Sequence, residues 1–288
     1  MTDEKEMSFL DHLEELRWHL IRAISSVAVF SVIAFLSKDF VYGTIILGPS
    51  KTDFWTYRML CALSEATCID KINFKLQSRL MTGQFTMHLL SSLVIGIVCA
   101  FPYAFWEIWR FVKPGLYPNE RKAARGATFF VSLLFMLGIL FGYYVVSPLS
   151  IQFLANYQLD PSISNEFDIV SYISTLTTLV LATGLMFQLP MVAFFFAKVG
   201  LLSAAFMREY RRHAIVIVLV VAAVITPPDV ISQILISLPL MLLYEISIWV
   251  VGIVEKRNRE SELLEQATRN QPANSYPATP LDQLPNEQ

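Results

Sequence analysis

Residues 86–106 read TMHLLSSLVIGIVCAFPYAFW, a run without a single charge. At ~1.5 Å of rise per residue such a run forms a helix of about 31 Å, the thickness of a bilayer's hydrocarbon core. Comparable apolar runs lie at roughly 18–36, 127–149, 172–197, 214–225 and 231–252. None of them alternates as the ~10-residue strands of a membrane β-barrel do. The pattern therefore predicts an all-α integral membrane protein with six transmembrane helices. The fifth run covers only about 18 Å at helical rise before Thr226-Pro227-Pro228-Asp229. Helices five and six read together as a short membrane hairpin, which implies local thinning or a protein neighbour that covers the mismatch.

Composition agrees with that reading. Of 288 residues 55% are hydrophobic and only 16% charged, where soluble domains carry about one-quarter charged residues. The 21 Phe, 11 Tyr and 5 Trp suit interfacial belts. A net charge of −2 gives no basic field for nucleic acid, so no nucleic-acid partner is expected. The chain carries no phosphate-binding loop, dinucleotide fingerprint, paired-histidine zinc motif or nucleophile elbow, so neither an enzyme nor a cofactor is expected.

Basic residues set the orientation. With the N-terminus inside, sixteen Lys and Arg fall on the inner side and six on the outer, all six in the loop from about 37 to 85. Both termini are thereby predicted to be cytoplasmic. Asp3, Glu4 and Glu6 stand where a cleavable signal would be positive. Three regions result. Residues 1–17 form a cytoplasmic segment, with a helix from Ser8 to Leu20 lying at the inner interface, and 18–252 form the membrane domain. Residues 253–288, rich in Gln, Asn, Pro, Ser and Glu, form a disordered cytoplasmic tail. Cys61 and Cys68 share the long outer loop, where they either pair in an oxidising compartment or remain two small free side chains.

Polar residues in so apolar a chain need a reason. Asp11, Glu14 and Glu15 make an acidic patch beside Arg17, with Phe9, Leu13, Leu16 and Leu20 at helical spacing. It is either the solvated face of an amphipathic helix or a carboxylate site for a cationic peptide, which a guanidinium would fit by bidentate hydrogen bonding. Glu120 and Arg121 open the third span on the same membrane face, as an ordinary surface pair or as a second segment of one site. Gln188, near the midplane two residues before Pro190, is interhelical glue or a functional lining, and a kink is expected there. Asp229 is explained by capping of a helix N-terminus; Glu245 lies in the sixth span with no partner evident in the sequence.

These stretches resemble the TatC family, the polytopic core subunits of the twin-arginine protein translocase. The resemblance rests on Phe9-Leu10-Asp11-His12-Leu13-Glu14-Glu15-Leu16-Arg17, on Phe101-Pro102 with Trp109-x-Phe111-x-x-Pro114-Gly115-Leu116, and on Asn119-Glu120-Arg121. It also rests on Phe187-Gln188-Leu189-Pro190, Thr226-Pro227-Pro228-Asp229-x-x-Ser232-Gln233 and Leu243-Tyr244-Glu245, and covers about residues 8–255. It implies a receptor in the bacterial inner membrane that binds twin-arginine signal peptides of folded precursors at its cytoplasmic face. Glu15 and Glu120 would hold the arginines, with Glu14, Arg17 and Arg121 around them. It further implies a bent, concave bundle, export driven by the proton gradient, and assembly with further TatC copies. The single-span partners TatA and TatB would dock near helices five and six, with Thr226 and Gln233 as polar contacts. Gln188 stands where many members carry Glu, and an amide cannot carry charge. A secondary transporter or channel is the competing class, but the two halves differ in span length and loop size, and Pro190 and Pro239 echo each other only faintly.

Overall fold

The computed structural model describes residues 9–63, 74–112, 118–160, 162–163, 165–226 and 230–269. The chain opens with α1 (Phe9–Leu36). It continues through α2 (Lys38–Phe40), a π-helical turn Val41–Ile46, a 3-10 turn Gly48–Ser50, α3 (Trp55–Leu63) and strand β1 (Lys75–Gln77). Next come α4 (Gly83–Val112) and α5 (Pro118–Phe141), the latter running on through a second π-helical turn, Gly142–Val146, into α6 (Ser147–Asn156). Strand β2 (Glu166–Asp168) precedes α7 (Ile169–Met186), α8 (Leu189–Lys198), α9 (Ala204–Glu209), α10 (Arg211–Ile225) and α11 (Val230–Arg269).

Among the described residues, five helical stretches are long and apolar enough to cross a membrane: Glu14–Leu36, Gly83–Val112, Thr128–Asn156, Ile169–Lys198 and Gln233–Leu264. The fifth predicted run is α10, whose 15 residues make it shorter than any of these.

Three expectations need correction. Residues before Trp18 do not form a separate interfacial helix, because α1 is continuous from Phe9 to Leu36 with no Gly or Pro to break it. Ser8, where that helix was expected to start, lies outside the described residues. The sixth helix is not short: α11 is 40 residues long and runs past the expected boundary at 253 to Arg269. Tertiary contacts explain the extension. Val254 is buried among Ala197, Ala204, Met207 and Val251. The Glu255 carboxylate accepts from the Ala204 N–H at 3.3 Å, and Lys198 Nζ donates to Asn258 Oδ1 at 3.4 Å. The apolar run ends where expected, but its helix does not.

The predicted disturbance at Pro190 is a full break. Proline has no N–H to give the Met186 carbonyl one turn back, and the helix divides over Phe187 and Gln188. A short parallel pairing joins the two long loops, with Lys75 opposite Glu166 and Gln77 opposite Asp168.

Close approach of backbones holds the bundle. A Cβ at Gly96 would lie 2.8 Å from the Ser31 backbone nitrogen, so α1 and α4 pack tightly there. A Cβ at Gly138 would lie 2.7 Å from the Thr183 carbonyl, which brings α5 against α7. In a membrane such small residues permit the packing that drives helix association. Phe135, Ile173, Leu176 and Val180 fill one core, and Leu179, Ala222, Ile236 and Leu240 join α7, α10 and α11 in another.

At the end of the bundle beyond Leu36, irregular backbone is closed by tyrosines. Turns that are not α-helical leave carbonyls in need of donors. Tyr57 is fully buried, and its hydroxyl lies 2.9 Å from the Pro49 carbonyl and 2.8 Å from that of Pro148. Tyr143 donates to Ile45 at 2.9 Å and Tyr172 to Ile46 at 2.8 Å. Thr56 donates to the Tyr144 carbonyl. Burial pushes the Tyr57 phenol well above its ordinary value, so it remains a donor throughout the physiological range.

Candidate functional site

α1 and α4 run antiparallel, with Ser31 against Gly96 and His19 against Glu107. Residues 14–22 and 103–110 therefore share one end. α5 starts at that end too, because only residues 113–117 separate it from α4.

At the centre of this end lies a buried pair that sequence spacing did not single out. His19 is 5% exposed and Glu107 2%. His19 Nδ1 donates to Glu107 Oε2 at 2.5 Å, and Tyr103 donates to the same carboxylate. Arg22 stands 3.8 Å from it, beyond hydrogen-bond reach. The one available signal was that Glu107 is the sole acid in α4. Its partner lies 88 residues away, and no local pattern gives the register that joins them.

With Nδ1 committed to Glu107, the other ring nitrogen faces Glu15, whose Oε1 is 3.9 Å distant. That separation is too long for a hydrogen bond, so the Glu15 carboxylate, with its side chain 41% exposed, keeps its lone pairs for another donor. Glu14 and Arg17 form an open contact at 3.9 Å, and an exposed pair of this kind holds weakly. Glu120 and Arg121 belong to the opening turn of α5, but their side chains lie outside the described residues. The result is a buried carboxylate–imidazole pair with solvent-open carboxylates at its rim. Such an arrangement accepts planar, multiply donating cations better than point charges.

The membrane-depth residues are placed as follows. Gln188 Nε2 donates to the Val131 carbonyl at 3.2 Å, while its buried Oε1 has no partner. Glu245, for which the sequence offered no partner, has one: Arg211 at the start of α10, at 2.7 Å, with both side chains half-exposed. Gln233 donates to the Leu219 carbonyl at 3.2 Å and so ties α11 to α10. Thr226 is buried and donates to the Ala222 carbonyl at 3.0 Å. Asp229 and Cys68 lie outside the described residues. Cys61 is disulfide-bonded, whereas Cys99 is free. Among the described residues, no three His, Cys, Asp or Glu side chains gather as a metal site.

Comparison with known proteins places this geometry. Residues 11–239 match the family model "TatC: Sec-independent protein translocase protein (TatC)". A Sec-independent protein translocase protein TatC from Blattabacterium sp. subsp. Periplaneta americana (strain BPLAN) is 37% identical, over 89% of this chain and 100% of the relative. One from Helicobacter pylori (strain ATCC 700392 / 26695) is 36% identical, over 87% of this chain and 90% of the relative. The crystal structure of a twin arginine translocase receptor TatC superposes with a TM-score of 0.63 at 31% identity, covering 84% of this chain and 99% of that one. A second crystal structure of a twin arginine translocase receptor TatC, in DDM, gives 0.67 at 32% identity with the same coverage.

Proposed function

The chain belongs to the TatC family of Sec-independent protein translocase proteins, and we propose that it is the receptor that admits twin-arginine signal peptides to that translocase. The observation that carries this reading is the half-exposed Glu15 carboxylate, standing on a buried His19–Glu107 floor at the end of the bundle where α5 begins with Glu120. Glu15 and Glu120 each take one guanidinium of the pair, while Glu14, Arg17 and Arg121 tune the charge around them. The apolar part of the signal peptide follows the bundle into the membrane.

In this reading α10 is the fifth of six crossings. At 15 residues it spans about 22 Å, so the bilayer thins around it or a neighbour covers its ends. The excess of Lys and Arg at this end supports cytoplasmic termini, and the family assignment supports a place in a bacterial inner membrane. The single-span subunits TatA and TatB dock on the α10–α11 hairpin. The exposed Val216, Ile217, Val220 and Val224 offer an apolar face for them, with Thr226, Asp229 and Gln233 at one end and Glu245 at the other. Gln188 supplies a neutral polar lining, and further copies of the chain complete the assembly that the proton gradient drives. Cys61 and Cys68 close the loop between the first two spans.

The test is site-specific photocrosslinking of a precursor's signal peptide to α1 and to the start of α5 in membranes. Glu15→Ala and Glu120→Ala are expected to lose the crosslinks, and Glu→Asp at either position to keep part of them. Crosslinks that survive both alanine changes would refute the clamp.

A further inference from the structure

Two stacks of guanidinium on indole flank a groove on the outside of the α1–α4 pair. On α1, Arg17 lies over the Trp18 ring at 5.5 Å from its centroid. On α4, Arg110 lies over Trp106 at 5.6 Å, and that ring is 5.8 Å from Tyr103. Between the stacks a groove of about 540 Å³ opens at Trp18, Arg22 and Tyr103 and descends along α1 to Val29 and Phe30. Trp18, Trp106 and Tyr103 are all substantially exposed on this face. The groove mouth thus has the aromatic composition of headgroup depth, and its floor is apolar.

The side chains of Arg22 and Arg110 are exposed, and Arg22 keeps only a loose ion pair with Glu107. Glu107 receives the closer donors His19 and Tyr103, and Arg22 stays 3.8 Å away with half its side chain exposed. Arg22 and Tyr103 both line the groove, and Arg110 stands next to it through the Trp106 ring that neighbours Tyr103. Glu14 faces Arg17 and Glu15 faces His19, and neither acid lines the groove, where Arg22 is the one cation and Arg110 lies beside it over Trp106.

We propose that this groove is a binding site for one anionic phospholipid. Its phosphate sits between Arg22 and Arg110, and one acyl chain lies along Val29 and Phe30. Charge complementarity selects the headgroup, since paired guanidiniums grip a phosphate by charge-assisted hydrogen bonds. Basic pockets between helices at the membrane surface take anionic lipids in this way. The apolar groove below selects a lipid over a free anion. This site borders the His19–Glu107 floor through Tyr103 and Arg22 but contains neither Glu15 nor Glu120, so Glu15→Ala is expected to leave the lipid preference in place.

Native mass spectrometry of the detergent-purified full chain tests it, with phosphatidylglycerol and phosphatidylcholine as probes. The expected result is one phosphatidylglycerol adduct at roughly tenfold lower lipid concentration than for phosphatidylcholine. Arg22→Gln with Arg110→Gln is expected to abolish that preference, while Arg58→Gln, in α3 at the far end, keeps it. Arg22→Lys with Arg110→Lys retains the charge and is expected to keep part of the preference, a comparison that remains readable should the Gln pair fail to fold. Equal binding of the two lipids by the wild-type chain would overturn the proposal. So would a preference that survives the Gln pair, displacement of the lipid by millimolar inorganic phosphate, or a dimer that forms in place of the lipid adduct.

Discussion

The two ends of the bundle solve opposite problems with similar materials. Beyond Leu36, irregular backbone between Val41 and Ser50 is held by phenols that reach in from α3, α7 and the turn after α5. At the other end regular helices carry charges, and only Glu107, His19 and Tyr103 are tied down while Glu14, Glu15 and Arg17 remain open. One end spends its polar groups on the chain itself. The other leaves Glu14 and Glu15 open to solvent above a buried pair, where the proposed receptor reading puts the ligand.

Changes at each end should therefore separate stability from binding. The largest effect on folding is expected from Glu107→Ala, which leaves the buried His19 and the half-exposed Tyr103 without their acceptor. Breaking a buried pair of this kind costs about 3–5 kcal/mol, read as lower stability of the detergent-purified chain to denaturant or heat. An unchanged melting curve would mean that the acidic end has no rigid floor. Tyr57→Phe comes next. It strips the shared donor from the Pro49 and Pro148 carbonyls at a cost of about 1–3 kcal/mol, and it should leave signal-peptide affinity where it was. A loss of affinity in that variant would show that the two ends are coupled. Gln188→Leu removes an amide whose Oε1 has no partner at the loss of one long bond to Val131, so melting should shift by less than about 1 kcal/mol in either direction. Smallest is Glu14→Gln, where only an open surface contact with Arg17 is lost, worth less than about 1 kcal/mol of stability.

The same contrast shows what was legible in the sequence. Uncharged runs of membrane length announce themselves without tertiary information, and Pro190 marks the break between α7 and α8 through its missing N–H. The acidic rim was visible because Glu14, Glu15 and Arg17 are neighbours on one helix. What escaped depends on register between distant segments. His19 meets Glu107, and Arg211 meets Glu245, only once antiparallel helices are aligned. The tyrosine closures join residues up to 126 positions apart. α11 outran its apolar stretch because Val254, Glu255 and Asn258 find partners on α8 and α9, and such contacts override local composition.

The central claim is that the open carboxylates at the acidic end recognise a pair of arginines by geometry as well as charge. Binding of a twin-arginine signal peptide to the purified full chain, set beside the same peptide with two lysines, tests it most directly. Tighter binding of the arginine form is expected, because lysine keeps the charge and lacks the planar fork. About a ten- to hundredfold loss is expected with Glu15→Ala or Glu120→Ala, the worth of one charge-assisted bond. Equal, weak binding of both peptides, indifferent to either substitution, would contradict that claim.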